Sequence, residues 1–334
     1  FVEKQLFSQG GTTYYPVDFS DHNFRVTYNI EHALSSTSEP IQKLLSNWKT
    51  SKKVFRYLKR YRLTHSDYPF AVDLSIVKST PKRYGKMQSS YTMRECDLFN
   101  RPENYEIEIE IINSDIGSIK DPISIITGLK RMVKYILIGL QDSYFPIGLK
   151  EQGIVRDEYY DLVKKKDYKT KPVVPGDFIG PSSVTLQIEN IAMLDKEETS
   201  ISESESYKTD TINIRNNYTV TDKADGSRKL LFVNGVGRIY FINSSMNIEF
   251  TGCLTKNEGL FYTILDGEHV TNDKNGKFIN LYIAFDIYYI NKKNVTGFPL
   301  IKTTDDEKDD NKDKDDNKDK DDNKEGDQKK KLYR

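Results

Sequence analysis

The stretch that decides the fold of the second half of the chain begins at Tyr218 and reads YTVTDKADGSRKLLFVNGVGRIYFIN. Its apolar and polar residues alternate between turns that contain Asn and Gly, which is typical of antiparallel strands. Two more stretches of this kind follow, FYTILDGEHV from Phe261 and FINLYIAFDIYYI from Phe278. A Pro- and Gly-rich segment, KPVVPGDFIGP, leads into them from Lys171. We therefore predict a β-rich α+β domain over residues 166–302, with its first strand at Tyr218.

Four further stretches of β type lie in the first half of the chain: FRVTYNI from Phe24, KVFRYLKRYRLT from Lys53, FAVDLSIVK from Phe70 and NYEIEIEII from Asn104. Their alternating, β-branched and aromatic residues predict an antiparallel sheet or a closed barrel. The stretch from Pro122, PISIITGLKRMVKYILIGL, places apolar residues at helical spacing, so we predict an amphipathic helix that packs on this sheet. Together these elements form a predicted domain over residues 1–165.

The composition limits the class of protein. The chain has 334 residues, which suffices for two domains, and its 50 Lys and Arg balance its 50 Asp and Glu, so a basic site must be local. Cys96 and Cys253 are its only cysteines and lack the spacing of zinc ligands or of a disulfide scaffold. No apolar run approaches the length of a membrane span and no secretory signal opens the chain. We expect a soluble, intracellular protein with no membrane partner.

Two segments are too polar to bury a core. Residues 195–210, DKEETSISESESYKTD, predict a surface insertion, and residues 303–334, with their DKDDNK repeats, predict a charged, disordered segment. The chain begins at Phe1 rather than Met, so we expect it to be an internal piece of a longer protein.

Charged side chains share faces of the predicted strands in the first half. Because side chains alternate along a strand, three carboxylates lie on one face of the strand from Asn104: Glu106, Glu108 and Glu110. The same rule places three arginines on one face of an earlier strand: Arg56, Arg60 and Arg62. Spacing alone favours an ordinary solvated face. A barrel with Arg on one wall and Glu on another would also suit a triphosphate that is bound together with a metal ion.

The segment Lys223-Ala224-Asp225-Gly226-Ser227-Arg228 carries the clearest chemical signal. A lysine is a nucleophile only when it is unprotonated, and positive charge nearby favours the neutral amine. Asp-Gly is also common in ordinary hairpin turns, so this segment alone leaves both interpretations open. Two acidic motifs follow it, Ile264-Leu265-Asp266-Gly267-Glu268 and Tyr282-Ile283-Ala284-Phe285-Asp286.

In this order and spacing, the three motifs resemble the nucleotidyltransferase superfamily of capping enzymes and ligases, over about residues 171–290. Over about residues 24–112, the runs FRYLKRYRLT, VDLSIVKST and NYEIEIEII resemble the triphosphate-tunnel RNA triphosphatase domain of mimivirus-type capping enzymes of large DNA viruses. The resemblance implies a β-rich tunnel barrel followed by a nucleotidyltransferase domain, with both domains incomplete in this chain. It also implies a location in cytoplasmic viral factories or virions.

The resemblance assigns a role to each candidate residue. Lys223 would attack GTP to form a lysyl-GMP intermediate, and four residues would bind the nucleotide and organise its metal: Arg228, Glu268, Phe285 and Asp286. In the tunnel, Mg²⁺ or Mn²⁺ would be bound by Glu106, Glu108 and Glu110. The triphosphate would be bound by Arg56, Arg60 and Lys78. The implied partners are GTP and RNA with a 5′-triphosphate or 5′-diphosphate end.

Some family elements do not occur in this sequence. The family has an earlier Glu-x-Glu strand, whereas Glu3 stands alone before Phe24, so we expect the triphosphatase to need a strand upstream of Phe1. The downstream Lys-x-Lys strand is also absent after Asp286, so we expect lysyl-GMP to form only in a chain extended past Arg334, where a methyltransferase domain would also lie. Two alternatives remain, an ATP-dependent polynucleotide ligase and a non-catalytic RNA-binding or assembly remnant.

Overall fold

The computed structural model describes residues 1–112, 121–163, 172–191, 212–215 and 218–300. Both predicted polar segments, 195–210 and 303–334, lie outside the described residues. By its contacts the chain divides into two compact units, Phe1–Asp142 and Ser143–Arg334. The domain division at residue 165 stays a prediction. None of the described helices is long and apolar enough to cross a membrane.

The described part of the first unit contains a three-stranded sheet, four two-stranded ribbons and two α-helices. The strands are β1 (Val2–Leu6), β2 (Ser8–Gln9), β3 (Thr12–Thr13), β4 (Val17–Phe19), β5 (Phe24–Val26), β6 (Asn29–Ala33), β7 (Arg56–His65), β8 (Tyr68–Ser79), β9 (Lys82–Arg83), β10 (Lys86–Met87) and β11 (Asn104–Ile111). The helices are α1 (Glu39–Ser46) and α2 (Pro122–Gln141). Short 3-10 turns cover Ser20–His22 and Leu98–Asn100. The predicted strand FRVTYNI is two strands, β5 and β6.

The three-stranded sheet is antiparallel, in the order β11-β8-β7. Arg62 lies opposite Asp73, which lies opposite Glu108 on the other side, so one row across the sheet carries three charges. Among the described residues β7 and β11 are edge strands, and a closed barrel is not seen. The three predicted strands are confirmed, and the tunnel remains a proposal.

Helix α2 begins as its sequence predicts and approaches β8 at Gly128. The Asp121 carboxylate accepts hydrogen bonds from the backbone N–H groups of Ile123 and Ser124, at 3.0 and 3.3 Å, and Pro122 takes the first helical position, where it needs no partner. A Cβ atom at Gly128 would lie 2.8 Å from the ring of Phe70, which is buried. The glycine therefore lets the helix approach β8 closely.

The described part of the second unit contains a six-stranded antiparallel sheet in the order β14-β13-β12-β15-β16-β17. The strands are β12 (Ser227–Val233), β13 (Arg238–Asn243), β14 (Ile248–Leu254), β15 (Thr263–Asn272), β16 (Phe278–Ile290) and β17 (Lys293–Asn294). Helix α3 (Leu149–Leu162) precedes them, and 3-10 turns cover Pro175–Asp177, Ile188–Asn190 and Glu258–Leu260.

The predicted first strand at Tyr218 is wrong, because residues 218–226 have no regular structure and β12 begins at Ser227. The alternation in YTVTD is a local signal, whereas a strand also needs a neighbour. The ladder between β12 and β15 ends at the pair of Ser227 and His269, and beyond it β15 continues to pair with β16.

Helix α3 helps to form the core of the second unit. Val155 and Tyr159 belong to one buried cluster with Leu230, Phe232 and Ile264 of the sheet. The Tyr159 hydroxyl donates a hydrogen bond of 2.9 Å to the Asp177 carbonyl and accepts one of 3.0 Å from the Ile179 N–H. The segment that leads into the sheet is thereby fixed to the helix.

Candidate functional site

Arg228 lies at the start of β12 and is bound to a fully buried carboxylate. Its Nε donates to Asp266 Oδ1 at 3.1 Å and its Nη2 to Asp266 Oδ2 at 2.5 Å, which is the paired geometry that makes such bonds strong. Its Nη1 donates to the Pro181 carbonyl at 2.6 Å. Asp266 has no exposed surface. Arg228 is therefore fixed on two sides before any ligand binds.

Two β-bulges in β16 bring aromatic side chains to this pair. Ile264 pairs with Tyr289 but Leu265 pairs with Ile287, which leaves Tyr288 as an extra residue. In the same way, Phe285 is the extra residue beside Asp266 and Gly267. Bulges of this kind turn a side chain toward a new direction and are frequent beside active sites.

Both extra residues point toward the charged pair. The Tyr288 hydroxyl donates to Asp266 Oδ2 at 2.5 Å, and the Phe285 ring centre lies 5.9 Å from Arg228 Cζ. A second ring, that of Phe178, lies 5.5 Å from the same carbon. Aromatic faces within about 6 Å of a guanidinium attract it. The ring of Phe285 is also 41% exposed, so part of its surface is open to a ligand.

The surroundings of Arg228 and Tyr288 keep each of these two side chains in one ionisation state near neutral pH. The hydrogen bonds that Arg228 donates to Asp266 raise the pKa of Arg228, so the guanidinium stays charged. Burial raises the pKa of the Tyr288 hydroxyl, and its hydrogen bond to Asp266 raises that pKa further, so the hydroxyl stays a donor.

The two remaining predicted nucleotide residues are neighbours of this pair in the sheet. Glu268 lies opposite Arg228 across β12 and β15, and Asp286 lies opposite Asp266 across β15 and β16. Both side chains are half-buried. The structure thus places Arg228, Glu268, Phe285 and Asp286 on three neighbouring strands around Asp266, and their roles stay predictions.

Lys223 lies in the irregular segment just before β12. Its side chain is exposed, and within the part of the chain that the structure describes it has no hydrogen-bonding or ionic partner. At position 226, three residues later, the structure requires glycine, because a Cβ atom there would lie 2.5 Å from the His269 carbonyl oxygen. The backbone of the motif therefore meets the end of the β12–β15 ladder, and the role of Lys223 stays a prediction.

The first unit contains a separate charged face, which we define by Arg56, Arg60 and Arg62 of β7, Asp73 of β8, and Glu106, Glu108 and Glu110 of β11. Arg56 bonds to Glu106 and Arg60 to Glu108, each at 2.6 Å. Arg60 and Arg62 also bond to Asp73, at 2.9 and 2.7 Å, and Arg62 bonds to Glu110. All three arginines lie on β7 and the four carboxylates on β8 and β11, so each arginine is paired across the sheet with at least one carboxylate.

Asp73 is the centre of this face. Its carboxylate is fully buried, and the hydrogen bond from Arg62 holds its pKa below the usual range in spite of burial. Oxygen atoms of Asp73, Glu108 and Glu110 all lie within 4.8 Å of one another, an arrangement that can hold a metal ion. Glu106 is not part of this group. The metal site predicted from the sequence therefore included Glu108 and Glu110 of this group but not Asp73.

Lys78 does not lie on the charged face. It pairs with Tyr57, and side chains alternate along β7, so both residues are on the opposite face from Arg56. Its amine donates to the Phe99 carbonyl at 2.9 Å and lies 3.6 Å from Glu103. The structure thus does not bring Lys78 together with Arg56 and Arg60, in contrast to the triphosphate site that the resemblance implied.

Comparison with known proteins gives two matches. Residues 212–329 match the family described as mRNA capping enzyme, catalytic domain. The chain is also 25% identical over 238 residues to a probable mRNA-capping enzyme of Acanthamoeba polyphaga mimivirus. The chain is similar to viral mRNA capping enzymes. The alignment covers 71% of this chain but only 16% of that relative, so the chain spans a small part of the relative's length.

The capping-enzyme-like segment 212–329 contains Lys223, Arg228 and the two acidic motifs. Within it, sequence reasoning missed the contacts that fix Arg228. Strand alternation would have placed Asp266 on the same face as Glu268, which was a usable signal. Alternation also places Tyr288 on the face of Asp286, but its contact with Asp266 depends on the pairing of β15 with β16, which no local pattern specifies.

Proposed function

We propose that the second unit is a GTP:RNA guanylyltransferase that carries GMP on Lys223 before passing it to RNA. The observation that supports this most is the guanidinium of Arg228, held by Asp266 at the point where residues of three separate motifs meet. The family match over residues 212–329 supports nucleotidyl transfer in the same segment.

The proposed reaction has two steps. The neutral amine of Lys223 attacks the α-phosphorus of GTP, a P–N bond forms, and the bond to the β-phosphate oxygen breaks as pyrophosphate leaves with the electron pair. The amine releases its proton to solvent. A terminal oxygen of a 5′-diphosphate RNA then attacks the same phosphorus, and the P–N bond breaks as the departing amine takes a proton from solvent, which gives capped RNA and free Lys223.

The residues around Lys223 would divide the remaining work. Arg228 offers N–H groups to oxygens of the nucleotide, and the open surface of the Phe285 ring can stack on guanine. Glu268 would contact the ribose. Mg²⁺ is usually bound by one or two carboxylates together with substrate phosphates, so the half-buried Glu268 and Asp286 suit Mg²⁺ or Mn²⁺ that arrives with GTP. Such an ion neutralises phosphate charge.

The test is covalent labelling of the full-length protein with α-labelled GTP and Mg²⁺, followed by denaturing electrophoresis. We expect label on the wild type and none on Lys223→Ala. Lys274→Ala is the matched control, since Lys274 is an exposed lysine in the turn between β15 and β16. Label that persists on Lys223→Ala contradicts the proposal, and label from ATP but not GTP favours the ligase alternative.

We also propose that the charged face of the first unit removes the γ-phosphate from triphosphate RNA. The support is the convergence of Asp73, Glu108 and Glu110 next to arginines that can contact phosphate oxygens. This donor set of three carboxylates fits Mg²⁺ or Mn²⁺, which would polarise the terminal phosphate. The exposed ion pairs on this face contribute only about 1 kcal/mol each or less, so a triphosphate can replace them.

Release of phosphate from γ-labelled RNA by the full-length protein tests this second proposal. Glu108→Gln should reduce the rate at least about a hundredfold, because it removes a metal ligand. Glu103→Gln is the matched control, since Glu103 lies near Lys78 rather than on the charged face. Equal rates for both variants would show that the charged face is not the phosphatase site.

A further inference from the structure

A chain of hydrogen bonds runs from the core of the second unit to the candidate site. The ring of Tyr288 is part of the buried cluster, with 3% of the residue exposed, and its hydroxyl donates to Asp266 Oδ2 at 2.5 Å. The same oxygen accepts from Arg228 Nη2 at 2.5 Å. Asp266 therefore joins Tyr288, whose ring is packed in the buried cluster, to Arg228, which lies at the candidate site.

The hydrogen bonds leave Arg228 with few free donors. A guanidinium has five N–H groups. Among the described residues, Asp266 takes two of them and the Pro181 carbonyl takes one, and the Tyr288 hydroxyl also interacts with the guanidinium. At most two N–H groups, one on each terminal nitrogen, are left for a ligand. Their direction depends on how the carboxylate of Asp266 is turned, and Tyr288 fixes that.

We propose that Tyr288 is a positioning residue for the nucleotide, which acts through Asp266 to aim the free N–H groups of Arg228 at the oxygens of bound GTP. The inference rests on the proposed function, because it takes GTP as the ligand. It goes beyond the motifs, since Tyr288 lies outside them and acts through Asp266 rather than on the ligand.

A purely structural role is the competing explanation, since a buried hydroxyl also needs a partner. The neighbouring Tyr289 is a suitable comparison. It is buried in the same cluster, and its hydroxyl accepts a hydrogen bond of 3.2 Å from the Asn294 side chain, away from Arg228. Loss of either hydroxyl perturbs the core, but only loss of the Tyr288 hydroxyl should weaken the binding of GTP.

The experiment is a double-mutant cycle on GTP binding, measured by equilibrium dialysis of labelled GTP with the full-length protein. All variants carry Lys223→Ala, so that no covalent bond forms. We expect Tyr288→Phe to raise the Kd for GTP about tenfold, as for the loss of a hydrogen bond to a charged group. Tyr289→Phe should change it less than about twofold. In an Arg228→Met background, Tyr288→Phe should have no further effect, because its route to the ligand is gone.

The outcomes of the cycle distinguish the positioning role of Tyr288 from a purely structural role. A Kd that Tyr288→Phe leaves unchanged, or raises equally in the Arg228→Met background, overturns the positioning role and assigns Tyr288 to stability alone. If Lys223 forms lysyl-GMP while the cycle shows no coupling, only this inference fails. If the protein binds no GTP and forms no lysyl-GMP, the proposed function fails and the positioning role fails with it.

Discussion

The ion pair between Lys229 and Glu249 gives a prediction whose size follows from burial. Lys229 Nζ lies 2.6 Å from Glu249 Oε2, and the two side chains are only 7% and 8% exposed. Replacing one partner of such a pair leaves a buried charge without compensation, which typically costs about 3–5 kcal/mol. Glu249→Gln keeps the shape and one acceptor oxygen, so we expect the low end, about 3 kcal/mol. The thermal midpoint of the second unit should fall by about 10 °C.

The assay is urea unfolding followed by circular dichroism, with hydrogen exchange of the β12 amides to assign the transition to the second unit. Glu31→Gln is the matched control, because Glu31 forms an ion pair of 2.8 Å with Lys4 whose side chains are 59% and 55% exposed. An exposed pair contributes about 1 kcal/mol or less. Lys229→Met combined with Glu249→Leu should recover most of the lost stability. Equal losses for Glu249→Gln and Glu31→Gln would refute the reasoning from desolvation.

Three further predictions concern single positions. Gly252→Ala should destabilise the second unit by more than about 2 kcal/mol, because its φ is +80° and a Cβ atom would overlap the Phe145 ring, whereas Gly276→Ala, with φ of +79° and open space, should cost about 1 kcal/mol in urea unfolding. Lys78→Ala should leave release of the γ-phosphate within about twofold of wild type, since Lys78 lies off the charged face; a large loss would contradict the observed register. The pKa of Asp73 is lowered because Arg62 donates a hydrogen bond to it. Its contribution to the stability of the fold is therefore present above the unfolded pKa near 3.8 and is lost as the pH falls through the lower, folded value. Asp73→Asn should accordingly make the free energy of unfolding less dependent on pH in the acid range.

Strand alternation explains why part of the site was predictable from sequence. A period of two residues is a property of any strand, so the shared faces of Arg56 with Arg60, and of Glu108 with Glu110, followed without a structure. The same rule puts Lys78 and Asp73 on opposite faces of β8. The family resemblance grouped Lys78 with the arginines without regard to this alternation. The convergence of Asp73 with Glu108 depended on the pairing of β8 with β11, which no local pattern specifies.

Other features depend on tertiary pairing and were out of reach. The position of Phe285 comes from a bulge, in which one strand carries an extra residue opposite its partner. The contact of Tyr288 with Asp266 depends on the pairing of β15 with β16. Residues 218–226 carry a strand-like pattern without a strand partner, so the local signal misled there. The hydrogen bond from Arg228 to the Pro181 carbonyl joins residues that are far apart in sequence. Pro181 lies in irregular backbone, whose position cannot be predicted from composition.

The ion pairing on the charged face has a consequence for how a triphosphate would bind there. Arg56, Arg60 and Arg62 already have carboxylate partners, so they hold few mobile anions of their own. A triphosphate that docks there exchanges one set of fixed partners for another rather than discharging a basic surface. Polyelectrolyte binding to a bare basic patch weakens steeply with added salt, because condensed counterions are released. Affinity at this face would instead be nearly insensitive to ionic strength, and selection of the triphosphate end would persist at salt concentrations that remove loosely held RNA.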